Sequence, residues 1–317
     1  MVIKKVIYFS LIILILVIAI VFLVLKLSEK TIPSHSLHQT KPSTTIQKPK
    51  PTAQTLSYIF MIVDENQPYN NLVGNSSAPY INYLIKNYAS ASNYHAVAHP
   101  SLPNYLALTS GSTDGTTTDC NPPAAGCIVN VPNIADEIQK SGRTWKAYAE
   151  SMPSSCYTLN SLPEYATKHV PFLYYSDIVN NSSRCNQHVV PYSQLSSNLA
   201  SLKTTPNYAF ITPNLCNDMH NCSIAIGDKW LANNVPLILK SKAFTTKKAL
   251  LIITWDEGYA STNHILALFV GNDAKKGYQS SNYYNHYSIL KTIETAWNLP
   301  PLTNNDRQAQ PMTALLK

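Results

Sequence analysis

The sequence predicts an α/β fold, a parallel sheet covered by helices on both faces, preceded by one transmembrane helix. Three observations carry this. Continuous apolar runs of strand length alternate with helical patterns, as expected for strands buried on both faces. Three of the four runs end directly in polar residues, where parallel sheets place their sites. Ahead of them, residues 6–25 read VIYFSLIILILVIAIVFLVL, with no charge.

That uncharged run makes a helix of about 30 Å, enough to cross a bilayer. A cleaved signal peptide would have a shorter apolar region and a small-residue cleavage site. Residues 1–30 therefore read as a signal anchor. Lys4 and Lys5 favour a cytoplasmic N-terminus, with Lys26 and Lys30 acting against them. Residues 31–56 are rich in Pro, Ser, Thr and Lys and cannot build a core. They read as an extended tether with a reach of about 75 Å. Residues 57–317 are long enough for one large domain.

The net charge of +7 is concentrated at the N-terminus, where residues 1–50 hold seven Lys and one Glu. The folded part is left nearly neutral, with no electrostatic footprint for nucleic acid. No motif for a protein partner is readable. Six cysteines, Cys120, Cys127, Cys156, Cys185, Cys216 and Cys222, all follow the anchor and form no CxxC pair. Their even number favours extracellular disulfides over a zinc site. Pairing neighbours would join 120–127, 156–185 and 216–222, one of fifteen arrangements that six cysteines allow. Sequons at Asn75, Asn180, Asn181 and Asn221 fit the same location, the outer face of a cell membrane.

Strands are expected at 57–63 (SYIFMIV), 207–212 (NYAFIT), 249–255 (ALLIITW) and 264–270 (HILALFV). Helices are expected at 80–88, 133–140, 230–240 and 287–297. The first strand runs into Asp64-Glu65-Asn66, the second into PNLCNDMH, and the third into Asp256-Glu257-Gly258. Two acidic pairs converging on one sheet edge would repel unless they served a cation, and carboxylate and amide oxygens suit a hard divalent metal.

Between the first two strands lies HPSLPNYLALTSGS, residues 99–112. Pro103 suits a first helical position, which puts Ser101 near a helix N-terminus. Two readings of Ser101 follow. It is an N-cap, or it is a nucleophile activated by a metal, which also polarises a phosphoryl oxygen. Asn104, one turn further on, can donate to a phosphate oxygen or simply start the helix. His220, enclosed between Cys216 and Cys222, offers a proton for a leaving group. His99, His264 and His286 are weaker candidates, His286 reading as a polar start to the last helix. Asp228 reads as opening the helix after it. Trp255 and the Tyr pairs 174–175 and 283–284 read as packing.

With these residues the chain resembles the phosphoesterase family that groups secreted acid phosphatases with bacterial phospholipases C, a branch of the alkaline phosphatase superfamily. The likeness runs from ENQPYNN at 65–71 through HPSLPNY, PNLCNDMH and WDEG to HYSILKTIE. It implies an αβα sandwich with a mostly parallel sheet and a phosphoserine on Ser101 that water then hydrolyses. It also implies a metal held by Glu65, Asn66, Ser101, Asp256 and Glu257, with Asn104 on the phosphate and His220 as leaving-group acid. The wider superfamily typically binds two metals with histidine ligands. Here Asp256-Glu257 stands in the late-strand position and histidine ligands are missing, so one divalent cation of open identity is expected.

The sequence ends after the last core helix, which favours a phosphomonoesterase over a phospholipase C-type phosphodiesterase. The remaining alternative is a cell-surface binding protein on the same fold. A dead relative should have lost Ser101 or a metal carboxylate, and all are present.

Overall fold

The computed structural model describes residues 56–160, 163–259 and 261–317. The expected anchor and most of the tether lie outside the described residues. Among the described residues, no helix is long and apolar enough to cross a membrane.

The apolar runs form strands close to their expected limits. They are β1 (Tyr58–Asp64), β5 (Tyr208–Thr212), β6 (Ala249–Trp255) and β7 (His264–Val270). Every residue of β1, β5 and β6 is buried. That follows from their unbroken apolar sequence and requires cover on both faces of the sheet. The remaining strands are β2 (Ala89–His95), β3 (Trp145–Ala149), β4 (Val189–Pro191), β8 (Tyr278–Ser280) and β9 (Tyr284–Asn285). The order is β4-β3-β5-β1-β6-β7-β2-β8, with β9 also on β2.

The sheet is mostly parallel, with one departure from the expected pattern. β7 runs antiparallel to β6, and β2 antiparallel to β7. Gly271-Asn272-Asp273, which follows β7, therefore stands at the opposite edge, where Asp273 Oδ2 accepts from Ala249 N at 2.8 Å. The starting residue of β7, His264, stands at the edge that gathers the acidic pairs. β2 escapes a reading of the sequence because ASASNYH has no β-branched residue and, of the aromatic residues that mark strands, only Tyr94.

Helices pack in two groups. Ser101–Ser110 lies against His286–Trp297, and Pro79–Asn87 against Ile224–Leu239. The last of these begins six residues before its expected start. Asp228 therefore lies inside that helix rather than opening it. Its carboxylate accepts from Tyr80 N and Ile81 N at 3.0 and 2.8 Å, capping the neighbouring helix.

The cysteines pair as sequence neighbours, 120–127, 156–185 and 216–222.

Candidate active site

β1 and β6 are adjacent and parallel, with Asp64 level with Trp255. Glu65 and Asp256 thus leave the sheet side by side. Asn66 adopts a left-handed backbone (φ 53°), a conformation asparagine tolerates, and its N–H donates to Asp256 Oδ1 at 3.0 Å. Asp256 is fixed again from behind. Buried His286 donates from Nε2 to the Asp256 carbonyl at 2.6 Å and accepts at Nδ1 from Tyr94 OH at 2.8 Å. Burial pushes the His286 pKa down to about 4, so the ring is neutral near pH 7.

Ser101 is the first residue of its helix and Pro103 the third, two positions later than the expected first place. The Ser101 hydroxyl caps no backbone group. It donates instead to Glu65 Oε2 at 3.1 Å, and Asp256 lies close enough to interact with both. Ser101, Glu65 and Asp256 are all buried. These three expected site residues are brought together.

Four others are placed differently. Asn104 Oδ1 accepts from Val97 N and Ala98 N, and its Nδ2 donates to Ala98 O and Pro100 O. Its amide holds the loop before Ser101 in shape. Glu257 turns to His99, with Oε2 2.5 Å from Nδ1. Asn66 contributes its backbone to Asp256, as above. His220 sits beside His169, ring centroids 5.7 Å apart, with Nδ1 2.7 Å from Asn221 Oδ1.

The 216–222 loop is seated firmly. Asp218 O accepts from Glu65 N at 2.8 Å, and Asp218 Oδ1 accepts from His220 N at 2.8 Å. A Cβ at Gly227 would come within 2.4 Å of Met219 and 2.8 Å of Asn217 O, so only glycine lets the Ile224–Leu239 helix press on this loop.

Reading the sequence missed His169, Tyr105, Lys168 and Asp119. His169 lies between Glu65 Oε1 (3.2 Å from Nε2) and Asp218 Oδ2 (3.3 Å from Nδ1), and its ring stacks on Tyr105. Tyr105 OH donates to Glu65 Oε1. Lys168 Nζ reaches Ser101 Oγ at 3.4 Å and pairs with Asp119 Oδ2 at 2.8 Å. Where the sequence offers no histidine ligand, the fold thus brings two histidines beside Glu65. Ligand atoms of Glu65, His169 and His220 all lie within 4.8 Å of one another. Lys168-His169 sits on a short turn between apolar segments, where no strand end points to it. The available signal was a lysine beside a histidine in a chain with few charges.

Five carboxyl groups, Asp64, Glu65, Asp218, Asp256 and Glu257, are buried around this point. Burial first, and then their mutual repulsion, raises the pKa of Asp64 and Glu65 well above the carboxylate range. Burial likewise raises Asp218 and Asp256, and burial with Asp256 pushes Glu257 up to about 8. Burial acts to lower Lys168, but Glu65, Asp119 and Asp256 hold it above its ordinary value. Burial, with Lys168 and His220 adding to it, keeps His169 well below the ordinary histidine range.

Both Asp64 oxygens and Asp256 Oδ2 are buried without a hydrogen-bond partner, and His169 Nε2 and Asp218 Oδ2 have only the ion-pair contacts given above, outside hydrogen-bond geometry. Such atoms are costly unless something fills their coordination, and an oxygen-rich anionic set fits a hard divalent cation.

The model of the Phosphoesterase family matches residues 71–300. The chain belongs to that family. A phosphatidylinositol-3-phosphatase of Mycobacterium tuberculosis is 36% identical over 262 residues, 82% of this chain and 82% of that protein. An acid phosphatase of Aspergillus fumigatus is 30% identical over 185 residues, 55% of this chain and 41% of that protein. The chain thus spans less than half the length of the fungal relative. Among solved structures, an alkaline phosphatase superfamily protein from Vibrio parahaemolyticus superposes with a TM-score of 0.60 at 11% identity, covering 83% of this chain and 73% of that one. Like its named relatives, this member of the family is a hydrolase of phosphoric esters.

Proposed function

We propose that the protein is a cation-dependent phosphomonoesterase, anchored in the cell membrane with its catalytic domain outside, that works through a phosphoserine on Ser101. The observation that carries this reading is the buried Ser101 hydroxyl, which donates to Glu65 and lies 3.4 Å from Lys168 Nζ. The relative named a phosphatidylinositol-3-phosphatase, similar over most of both chains, supports a monoester over a diester substrate.

Glu65, Asn66, Ser101, Asp256 and Glu257 would hold the cation, with His169 as a nitrogen donor beside Glu65. When bound, a divalent cation lowers the pKa of the serine hydroxyl and draws charge from the phosphoryl oxygens.

In the first half of the reaction Ser101 Oγ attacks phosphorus as the bond to the leaving oxygen breaks. Glu65 Oε2 takes the hydroxyl proton along the existing hydrogen bond. Lys168 Nζ offers positive charge to the phosphoryl group, and His220 gives a proton to the leaving oxygen. In the second half water attacks phosphorus, His220 recovers a proton from it, and the bond to Oγ breaks. The proton on Glu65 returns to Ser101. Asn104 acts on the phosphate through the loop it shapes or by exchanging one of its backbone bonds for it.

The test is hydrolysis of an aryl phosphate by residues 57–317, with and without chelator, beside a phosphocholine ester. Turnover of the aryl monoester that chelator abolishes and added cation restores is expected, with Ser101→Ala inactive but folded. Full activity of Ser101→Ala, or faster cleavage of the phosphocholine ester, would overturn the reading.

A further inference from the structure

We propose that Tyr259 forms the wall of a leaving-group subsite and stacks on a ring that bears the ester oxygen directly, aryl or alicyclic. This rests on the phosphoesterase reading above and adds a substrate class to it.

Tyr259 is 69% exposed, the most exposed of the large apolar and aromatic side chains among the described residues. It follows directly on Asp256-Glu257-Gly258, all buried, so the chain comes to the surface at Tyr259 beside the carboxylates of the Ser101 site. An exposed ring at such a place is available to the group that the phosphate carries.

The loop that presents this ring is held at its ends. Gly258 N donates to Asn263 Oδ1 at 2.7 Å, and Asn263 Nδ2 donates to Ala98 O at 2.7 Å. Ala96 N donates to Asn263 O at 2.9 Å. Tyr259 is therefore braced through Asn263 to the segment that leads into Ser101. Gly258 also packs against Pro68, where a Cβ would meet Pro68 at 3.3 Å. The neighbouring surface is aromatic as well. Tyr69, His264, His95 and Tyr283 stack in one column, with successive centroids 4.5, 5.0 and 5.4 Å apart. Tyr283 ends the column 59% exposed. His95 and His264 are cross-strand partners at the site's edge of the sheet, so this flank is built of aromatic rings. Such a surface favours a cyclic leaving group over a short acyclic one.

The experiment compares phenyl phosphate, inositol monophosphate and glycerol 3-phosphate on the full chain and on its Tyr259→Ala and Tyr259→Phe variants. Tyr259→Ala should raise KM about tenfold for one or both ring esters, the size expected for one stacked ring. It should change glycerol 3-phosphate by less than twofold and leave kcat within about twofold, and Tyr259→Phe should behave as wild type. Which ring ester responds tells an aryl from an alicyclic source. A loss shared equally by all three esters, or no loss on either ring ester, would overturn the proposal. Binding of the same compounds to the Ser101→Ala protein, with and without Tyr259→Ala, decides the matter without turnover. If wild type hydrolyses none of them, the proposed activity fails while the ring preference is still read from binding. Equal binding of ring and acyclic esters, or no binding of any, overturns the subsite.

Discussion

The hydroxyl of Ser101 could have served a helix end or a reaction, and its geometry excludes the first. An N-cap oxygen accepts from the first turn of its helix, whereas Ser101 donates across the sheet edge to Glu65. Glu65, Ser101 and Asp256 were legible because each sits beside a feature that local sequence rules describe: the end of an apolar run, or a proline-framed helix start. Lys168 and His169 were not, because a 3₁₀ turn far along the chain carries them in. His220 shows the limit of the same rules. Its loop position was readable, but its place beside His169 and Glu65 needs the fold. The two roles open to it, acid or cation ligand, leave different kinetic traces. As an acid, its loss should slow an alkyl phosphate 10²-fold or more and barely affect a nitrophenyl phosphate, whose leaving oxygen needs no proton. Equal loss on both esters, reversed by excess cation, would assign it to the cation instead.

Strands announce themselves by uninterrupted burial, and β1, β5, β6 and β7 were found within a residue of their limits. Their direction is another matter. Nothing in HILALFV distinguishes an antiparallel strand from a parallel one, since both are buried here. Helix limits failed where long-range polar contacts override local signals, as when Asp228 caps a helix other than its own. The His286–Trp297 helix carries a testable polar device of this kind. Glu294 is buried, its Oε1 has no partner, and Lys291 lies 3.4 Å from its other oxygen. Burial, reinforced by neighbouring Asp306, pushes its pKa up to about 8. Between about pH 4.5 and 8 the folded state then binds a proton that the unfolded state releases, so this group's contribution to stability falls as pH rises. In cation-loaded protein, urea unfolding from pH 5 to 9 should show a steeper decline in wild type than in Glu294→Gln. Parallel profiles would contradict this.

The site belongs to the whole domain rather than to any one motif. Glu65, Ser101, Asp119, Lys168, Asp218 and Asp256 come from six segments, and disulfides border or enclose two of them. Cys120–Cys127 begins one residue after Asp119, and Cys216–Cys222 encloses Asp218 and His220. No single stretch could hold five carboxyl groups out of water, so only the folded molecule can set Ser101 against them. Covalent turnover is therefore expected from folded, cation-loaded protein alone. The most direct measurement is acid quenching during hydrolysis of a phosphate ester labelled on phosphorus, followed by mapping of the label along the chain. Label on Ser101, present with cation and absent after chelation, is the expected result. Steady turnover with no label on Ser101, or label on another residue, would contradict the phosphoserine mechanism.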